Sequence, residues 1–288
     1  MKVLVLGGGG QVAGAVMAAA PPAFQAVAKS RAELDICDEK ALVRTLADTG
    51  ATWVVNAAAY TAVDLAEDQA AQAIAVNDTA VGAMAAAALT MGCRLLHLST
   101  DFVFDGESNR AYRPHDRPNP LSVYGSSKLG GERHVLNADA SGIVLRTAWV
   151  YAPVGRNFVL TMLRLMRERD QLNVVCDQIG APTSAAGIGT AIWSLIGADV
   201  PGGVYHWTDP GVASWYDFAV AIQEEALARG LLRRTVPIAP ISSADYPTRA
   251  RRPAFSVLDS SSTRALIKAP AQHWRHNLRS MLDGLRAP

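Results

Sequence analysis

Apolar residues cluster along the first half of the chain in short runs at 2–6, 24–28, 52–56, 94–99 and 142–147. Each run is bounded by glycine or polar residues, the pattern of strands buried on both faces. Between the runs, the stretches 10–20, 39–49, 67–91 and 123–137 are longer, rich in alanine and helical in character. This alternation predicts βαβ crossovers and hence an α/β fold, a Rossmann-type doubly wound parallel sheet covered by helices on both faces. Alanine favours helix everywhere, so an all-helical chain is the competing reading. The regular return of β-branched runs argues against it.

The second half changes character. Helices are predicted at 157–169, 184–196, 214–229 and 273–285, and strands at 172–176, 204–207 and 236–241. Pro210, Gly211, Pro237, Pro240, Pro247 and Pro253 punctuate them. The pattern predicts a first domain over 1–150, with 184–207 returning to it, and a smaller α/β domain formed by 151–183 and 208–288. The stretch 110–122, with Pro114, Pro118 and Pro120, reads as a long irregular loop of the kind that usually carries function.

Composition narrows the classes. The 288 residues carry 27 basic and 26 acidic side chains, a formal net charge of +1. Such a balance leaves no electrostatic footprint for nucleic acid or anionic lipid. The longest uninterrupted apolar stretch lies within 83–89, too short for a bilayer span. The N-terminus reaches glycine at Gly7, too early for a signal peptide. Cys37, Cys93 and Cys176 form no paired motif, so neither a disulfide framework nor a zinc site is expected. The expectation is a cytoplasmic protein with no nucleic-acid or membrane partner.

The first run ends in Gly7-Gly8-Gly9-Gly10-Gln11-Val12-Ala13 and passes into a predicted helix. A strand, a glycine turn and a helix N-terminus make an anion site, because backbone N–H groups and the helix dipole face a pyrophosphate that glycine lets approach. Placed after the first strand, the turn points to a dinucleotide, with Gly7, Gly10, Gln11 and Val12 in contact. The second strand is followed by Lys29-Ser30-Arg31, where no acid stands to accept a ribose hydroxyl. Lys29, Ser30 and Arg31 instead suit a 2′-phosphate, which favours NADPH over NADH; solvated side chains are the plainer alternative. Asp35 and Ile36 follow closely and are expected to flank the adenine.

Tyr124 and Lys128 stand four apart in a predicted helix, on one face. An ammonium beside a phenol favours the phenolate, so Lys128 is expected to lower the Tyr124 pKa. The strand ending in Ser99-Thr100-Asp101 delivers Thr100 to the edge where parallel strands present ligands.

These features, with Asn77, resemble the extended short-chain dehydrogenase/reductases. The strings 56–64, 99–106, 146–151, 157–159, 177–183 and 247–249 are similar to the dTDP-4-dehydrorhamnose reductase family within that group. The resemblance implies reduction of the C4 ketone of a dTDP-sugar by NADPH or NADH. It implies Tyr124 as proton donor, Lys128 as the holder of the nicotinamide ribose, and Thr100 as a hydrogen-bond partner of the same sugar oxygen. It places Ala57, Ala58, Tyr60 and Asn77 at the cofactor and Phe102, Phe104, Trp149, Asn157, Gln178 and Arg249 at the substrate. Some members join dimers through a metal held by glutamates, one of them early in the first helix. Here Ala15 stands there, so no metal is carried over, and a homodimer is left open.

Four rivals share the motifs. Nucleotide-sugar 4,6-dehydratases need a glutamate after Thr-Asp, and Phe102 cannot donate a proton. Other 4-ketoreductases, 4-epimerases and non-catalytic regulatory subunits of the same fold keep much of the pattern, although a retired site has no reason to retain Thr100, Tyr124 and Lys128 together.

Overall fold

A computed structural model describes residues 1–270 and 272–285. The first half runs β1 (Lys2–Leu6), α1 (Gln11–Ala18), β2 (Gln25–Lys29), α2 (Glu39–Thr49), β3 (Trp53–Asn56), α3 (Val63–Asp68), α4 (Ala70–Ile74), α5 (Ala80–Thr90), β4 (Arg94–Thr100), α6 (Val123–Ala138) and β5 (Ile143–Thr147). The second half runs β6 (Val150–Tyr151), α7 (Phe158–Glu168), β7 (Leu172–Val175), β8 (Ile179–Gly180), β9 (Thr183–Ser184), α8 (Ala185–Gly197), β10 (Gly203–His206), β11 (Ala213–Ser214), α9 (Trp215–Ala228), β12 (Ile238–Ile241), α10 (Ser261–Ile267) and α11 (Trp274–Asp283).

Six strands pair in parallel in the order β10-β5-β4-β3-β1-β2. Alternate residues of each strand feed opposite faces. Val3, Val5, Val55, Leu96 and Leu98 pack with Val16 of α1 and with Ile188, Ile192 and Trp193 of α8. Leu4, Leu6, Val54, Leu95 and Val144 pack with α2, α5 and Val135 of α6. A further cluster joins α7, α9, α11 and β7 around Val159, Phe218, Ile222 and Leu278. The chain reverses its direction of travel across the sheet between β1 and β3, and at such a switch point the crevice beyond the strand ends takes the ligand.

The stretch expected as one helix over 67–91 is broken. Gln69 leaves helical geometry at φ −117°, ψ 40°, and a π-turn at Ala75–Thr79 precedes α5. By length and composition 70–90 could cross a bilayer, yet it packs against α2 and α6 as part of the sheet's helical layer. The π-turn gives the run an extra residue and turns Asn77 inward, where only 1% of it is exposed. Asn77 Oδ1 accepts from the Tyr60 backbone N–H at 2.9 Å, and its Nδ2 donates to the Tyr60 carbonyl at 3.0 Å and to Ser127 Oγ at 3.1 Å.

Candidate active site

A cavity of about 780 Å³ opens at this switch point. Its floor is the turn between β1 and α1. Gly7 sits at φ +86°, and a Cβ there would come 2.8 Å from the Ala58 nitrogen, so only glycine allows the two backbones to meet. Gly10 caps α1 with no side chain to occupy its N-terminal N–H groups. An unobstructed helix end beside a backbone of bare glycine fits a dinucleotide pyrophosphate. Gln11, Val12, Ala57, Ala58 and Tyr60 line the cavity near this turn, as do Leu34, Asp35 and Ile36. Arg31 lines it too, on an exposed side chain.

The opposite wall is chemical. Thr100, Asp101 and Phe102 come from the end of β4, and Tyr124 and Lys128 from the first turns of α6. Ser122 caps that helix by accepting from the Gly125 N–H at 3.1 Å, and a Cβ on Gly125 would strike the Phe102 carbonyl oxygen. This close approach brings Tyr124 against the strand end, with the Phe102 ring edge-on at 5.6 Å. Thr100 Oγ1 donates to Asp101 Oδ1 at 3.0 Å, while Asp101 Oδ2 is buried without a partner. Burial pushes the Asp101 carboxyl up to about 6. Burial also pushes the Tyr124 phenol up to about 12, against the Thr100 hydroxyl, which acts downward.

That last direction corrects the expectation from the i, i+4 spacing. The Lys128 ammonium does not depress Tyr124, because its Nζ is drawn to β4, donating to the Leu98 carbonyl at 2.7 Å and lying 3.1 Å from His97 Nε2. Burial lowers Lys128 to about 8, against the carboxylate of Glu132. Tyr124 therefore carries its proton throughout the neutral range, the state an acid needs.

Comparison with known proteins adds a second, independent line. A family model described as the RmlD substrate binding domain matches residues 1–287. A curated dTDP-4-dehydrorhamnose reductase of Aggregatibacter actinomycetemcomitans is 38% identical over 97% of this chain and 98% of its own length. The chain belongs to the dTDP-4-dehydrorhamnose reductase family. The relative from Burkholderia thailandensis is 39% identical over 96% of each chain. Among solved structures, the Bacillus anthracis reductase in complex with NADP superposes with a TM-score of 0.93, is 29% identical and covers 99% of both chains. A Thermus thermophilus UDP-glucose 4-epimerase shares the fold at a TM-score of 0.79 with 17% identity.

Not every residue that the family resemblance put at the site reaches the cavity. Thr100, Phe102, Tyr124, Lys128 and Trp149 line it. Phe104 does not: it has no exposed surface and stacks on Tyr112 at 4.1 Å, so it belongs to a small core. Ser30 turns away, its N–H and hydroxyl both donating to Glu33 at 2.9 and 2.7 Å. Asn77 works behind the wall through Tyr60. Asn157 caps α7 and donates to Gln11 Oε1 at 2.9 Å, which binds that helix to the glycine turn. Gln178 accepts from Trp215 Nε1 at 3.2 Å and thereby sets an indole rather than meeting ligand. Arg249 is 64% exposed and pairs with Asp68 on α3.

The cavity is also lined by side chains that sequence reasoning passed over. Arg252 holds Asp64 at 2.9 Å through one nitrogen and leaves its buried Nε without a partner. Arg156 lies beside the glycine turn, its carbonyl accepting from Gln11 Nε2 at 3.1 Å. Trp215 stacks face to face on Trp149, with centroids 3.5 Å apart. Trp149 itself holds a left-handed φ of 48°, a strained conformation for a bulky residue.

Two expected results follow from this geometry. Lys29 and Ser30 are engaged with Glu33, so Arg31 is left as the cation for a 2′-phosphate. Arg31→Ala raises the dissociation constant of NADPH about 5- to 30-fold, the worth of a partly exposed charge-assisted contact. The NADH constant stays in place. Titration of both cofactors by fluorescence checks it, and an equal effect on the two sinks the phosphate contact. Trp149→Ala is expected to raise KM for the sugar nucleotide more than it changes NADPH affinity, because the indole lines the cavity and the family resemblance puts it at the substrate. A plain core role would instead cost about 3–5 kcal/mol of stability and leave the kinetic constants of the folded fraction unchanged. Melting temperature measured beside kinetics separates the two.

Proposed function

We propose that this chain reduces the C4 ketone of dTDP-4-dehydro-β-L-rhamnose to dTDP-β-L-rhamnose with NADPH. The observation that carries the reading is one cavity walled on one side by the glycine turn and on the other by Thr100, Tyr124 and Lys128. When bound, the nicotinamide supplies the hydride. Tyr124 gives its phenolic proton to the sugar O4, and the Thr100 hydroxyl turns from Asp101 to the same oxygen and steadies the developing charge. Lys128 holds the nicotinamide ribose. Arg252, which lines the cavity and whose buried Nε has no partner, takes the diphosphate in place of Arg249. Trp149 and Trp215 form an apolar wall for the deoxyhexose.

The same reading divides the chain into a cofactor domain, 1–150 with 184–207, and a substrate domain, 151–183 with 208–288. Residues 271 and 286–288 of the latter lie outside the described residues. Separate apolar clusters on the sheet and around α7, α9 and α11 support the division. A dTDP-sugar partner and a cytoplasmic setting complete it.

The test is to mix the purified chain with NADPH and dTDP-4-dehydrorhamnose, follow cofactor oxidation, and determine the product's configuration at C4 by NMR. Oxidation that yields dTDP-rhamnose is expected. No oxidation overturns the reductase reading, and a talose product overturns the stereochemical assignment.

A further inference from the structure

Behind the lysine lies a histidine that the chemistry above leaves unused. His97, on β4, has no exposed surface. Its Nε2 is 3.1 Å from Lys128 Nζ, and its Nδ1 is 3.0 Å from Asn56 Nδ2. The direction of these contacts follows from the far end of the chain of bonds. Asn56 Oδ1 accepts from the Ala58 backbone N–H at 3.1 Å, and a backbone N–H can only donate. The amide oxygen is therefore used there, and the amide NH2 faces the imidazole. An NH2 group also only donates, so Nδ1 is the acceptor. In the neutral ring the proton then sits on Nε2 and points at Lys128. Nζ meanwhile donates to the Leu98 carbonyl. An ammonium has three donors and no lone pair, so facing Nε2–H it meets donor with donor; an amine can accept that proton as a hydrogen bond.

We infer that His97 is a positioning residue for Lys128: the Asn56–His97 pair fixes Nζ at the end of β4 and favours its amine form. Through the Ala58 N–H, the same pair links the lysine to the loop that packs on the glycine turn. The inference rests on Lys128 being the lysine of the reductase site.

The surroundings agree. Burial holds His97 well below the usual imidazole range, so the ring stays neutral. From β4, His97 and the Leu98 carbonyl face Lys128 Nζ, and from its own helix the charge of Glu132 reaches it. The carboxylate of Glu132 favours the ammonium, but it is already shared with Arg146 at 2.6 Å and with Ser99 at 2.5 Å. A hydrogen bond given to the amine lowers the lysine's proton affinity. Removing it raises that affinity, so the alkaline loss of activity moves to higher pH.

Two measurements test this. In the full chain labelled with 15N-histidine, long-range 1H–15N correlation reads the tautomer without any substrate, and so stands whatever sugar the chain reduces. The Nε2–H form is expected, unchanged between about pH 6 and pH 9. The second measurement is the pH profile of kcat/KM for wild type, His97→Gln and His97→Leu. Gln can still meet Asn56 and supports folding should leucine fail. His97→Leu, which removes the donor, is expected to move the alkaline limb upward by about one pH unit, the size of one ordinary hydrogen bond to a single protonation state, whereas His97→Gln, whose Oε1 accepts from Asn56 and whose NH2 can still donate to Lys128, keeps the limb near wild type. A merely structural histidine lowers rate or melting temperature with the limb in place. An Nδ1–H tautomer, a ring that titrates in that window, or an unmoved limb in folded His97→Leu overturns the inference.

Discussion

Replacing Tyr124 by phenylalanine lowers turnover by at least about a hundredfold, while NADPH affinity and melting temperature stay near those of the wild type. The rate loss is the usual worth of a positioned acid. Fold and affinity survive because the ring keeps its place: its contact with Phe102 is edge to face and needs no hydroxyl. Burial holds the phenol at about 12, so in wild type the tyrosine's own ionisation does not limit the rate anywhere near neutrality. A phenylalanine variant with wild-type turnover removes Tyr124 from the chemistry. A variant that binds NADPH poorly shows that its hydroxyl organises the cofactor instead.

The largest stability effect is expected four residues past Lys128. Glu132→Gln destabilises the chain by about 3–5 kcal/mol, since it leaves an arginine charge buried without its counter-ion. The Glu132 and Arg146 side chains are 1% and 3% exposed, and the pair is bidentate at 2.8 and 2.6 Å. Arg146 also reaches the Pro114 carbonyl at 3.3 Å, so the proline-rich loop leans on the same charge. The denaturation midpoint measures the loss. Replacing both partners by methionine recovers much of it, because two apolar groups strand no charge. A midpoint unchanged in Glu132→Gln shows that the pair is balanced without its anion.

The strand–helix alternation was readable because buried parallel strands are continuously apolar, and the predicted runs at 2–6, 52–56, 94–99 and 142–147 match β1, β3, β4 and β5 to within a residue. The two-residue strands β6, β8, β9 and β11 carry no period to detect, and α10 is too short to show one. Of the site, the glycine turn, the strand end at Thr100 and the Tyr124/Lys128 face were legible in sequence, and these residues line the cavity. The direction of other side chains was not. Phe104 and Phe102 stand two apart in one string, yet only Phe102 faces the cavity, because a 3₁₀ turn at Asp101–Val103 breaks the strand's alternation. Arg249 and Arg252 lie in an irregular segment where spacing says nothing about facing; pairing with Asp68 and Asp64 decides it. The pull of β4 on Lys128 is a tertiary effect that helical spacing cannot contain.

The π-turn at Ala75–Thr79 has a mechanical consequence. One amide, Asn77, grips both backbone polar groups of Tyr60 on the cavity wall and the hydroxyl of Ser127, one residue before Lys128. Wall and helix are thereby joined on the inside of the molecule, beneath the cavity rather than across it. On the proposed chemistry, this tie holds the strand of wall at Tyr60 and the helix that carries Tyr124 in one rigid unit, while the rim of the cavity is left free to admit a sugar nucleotide.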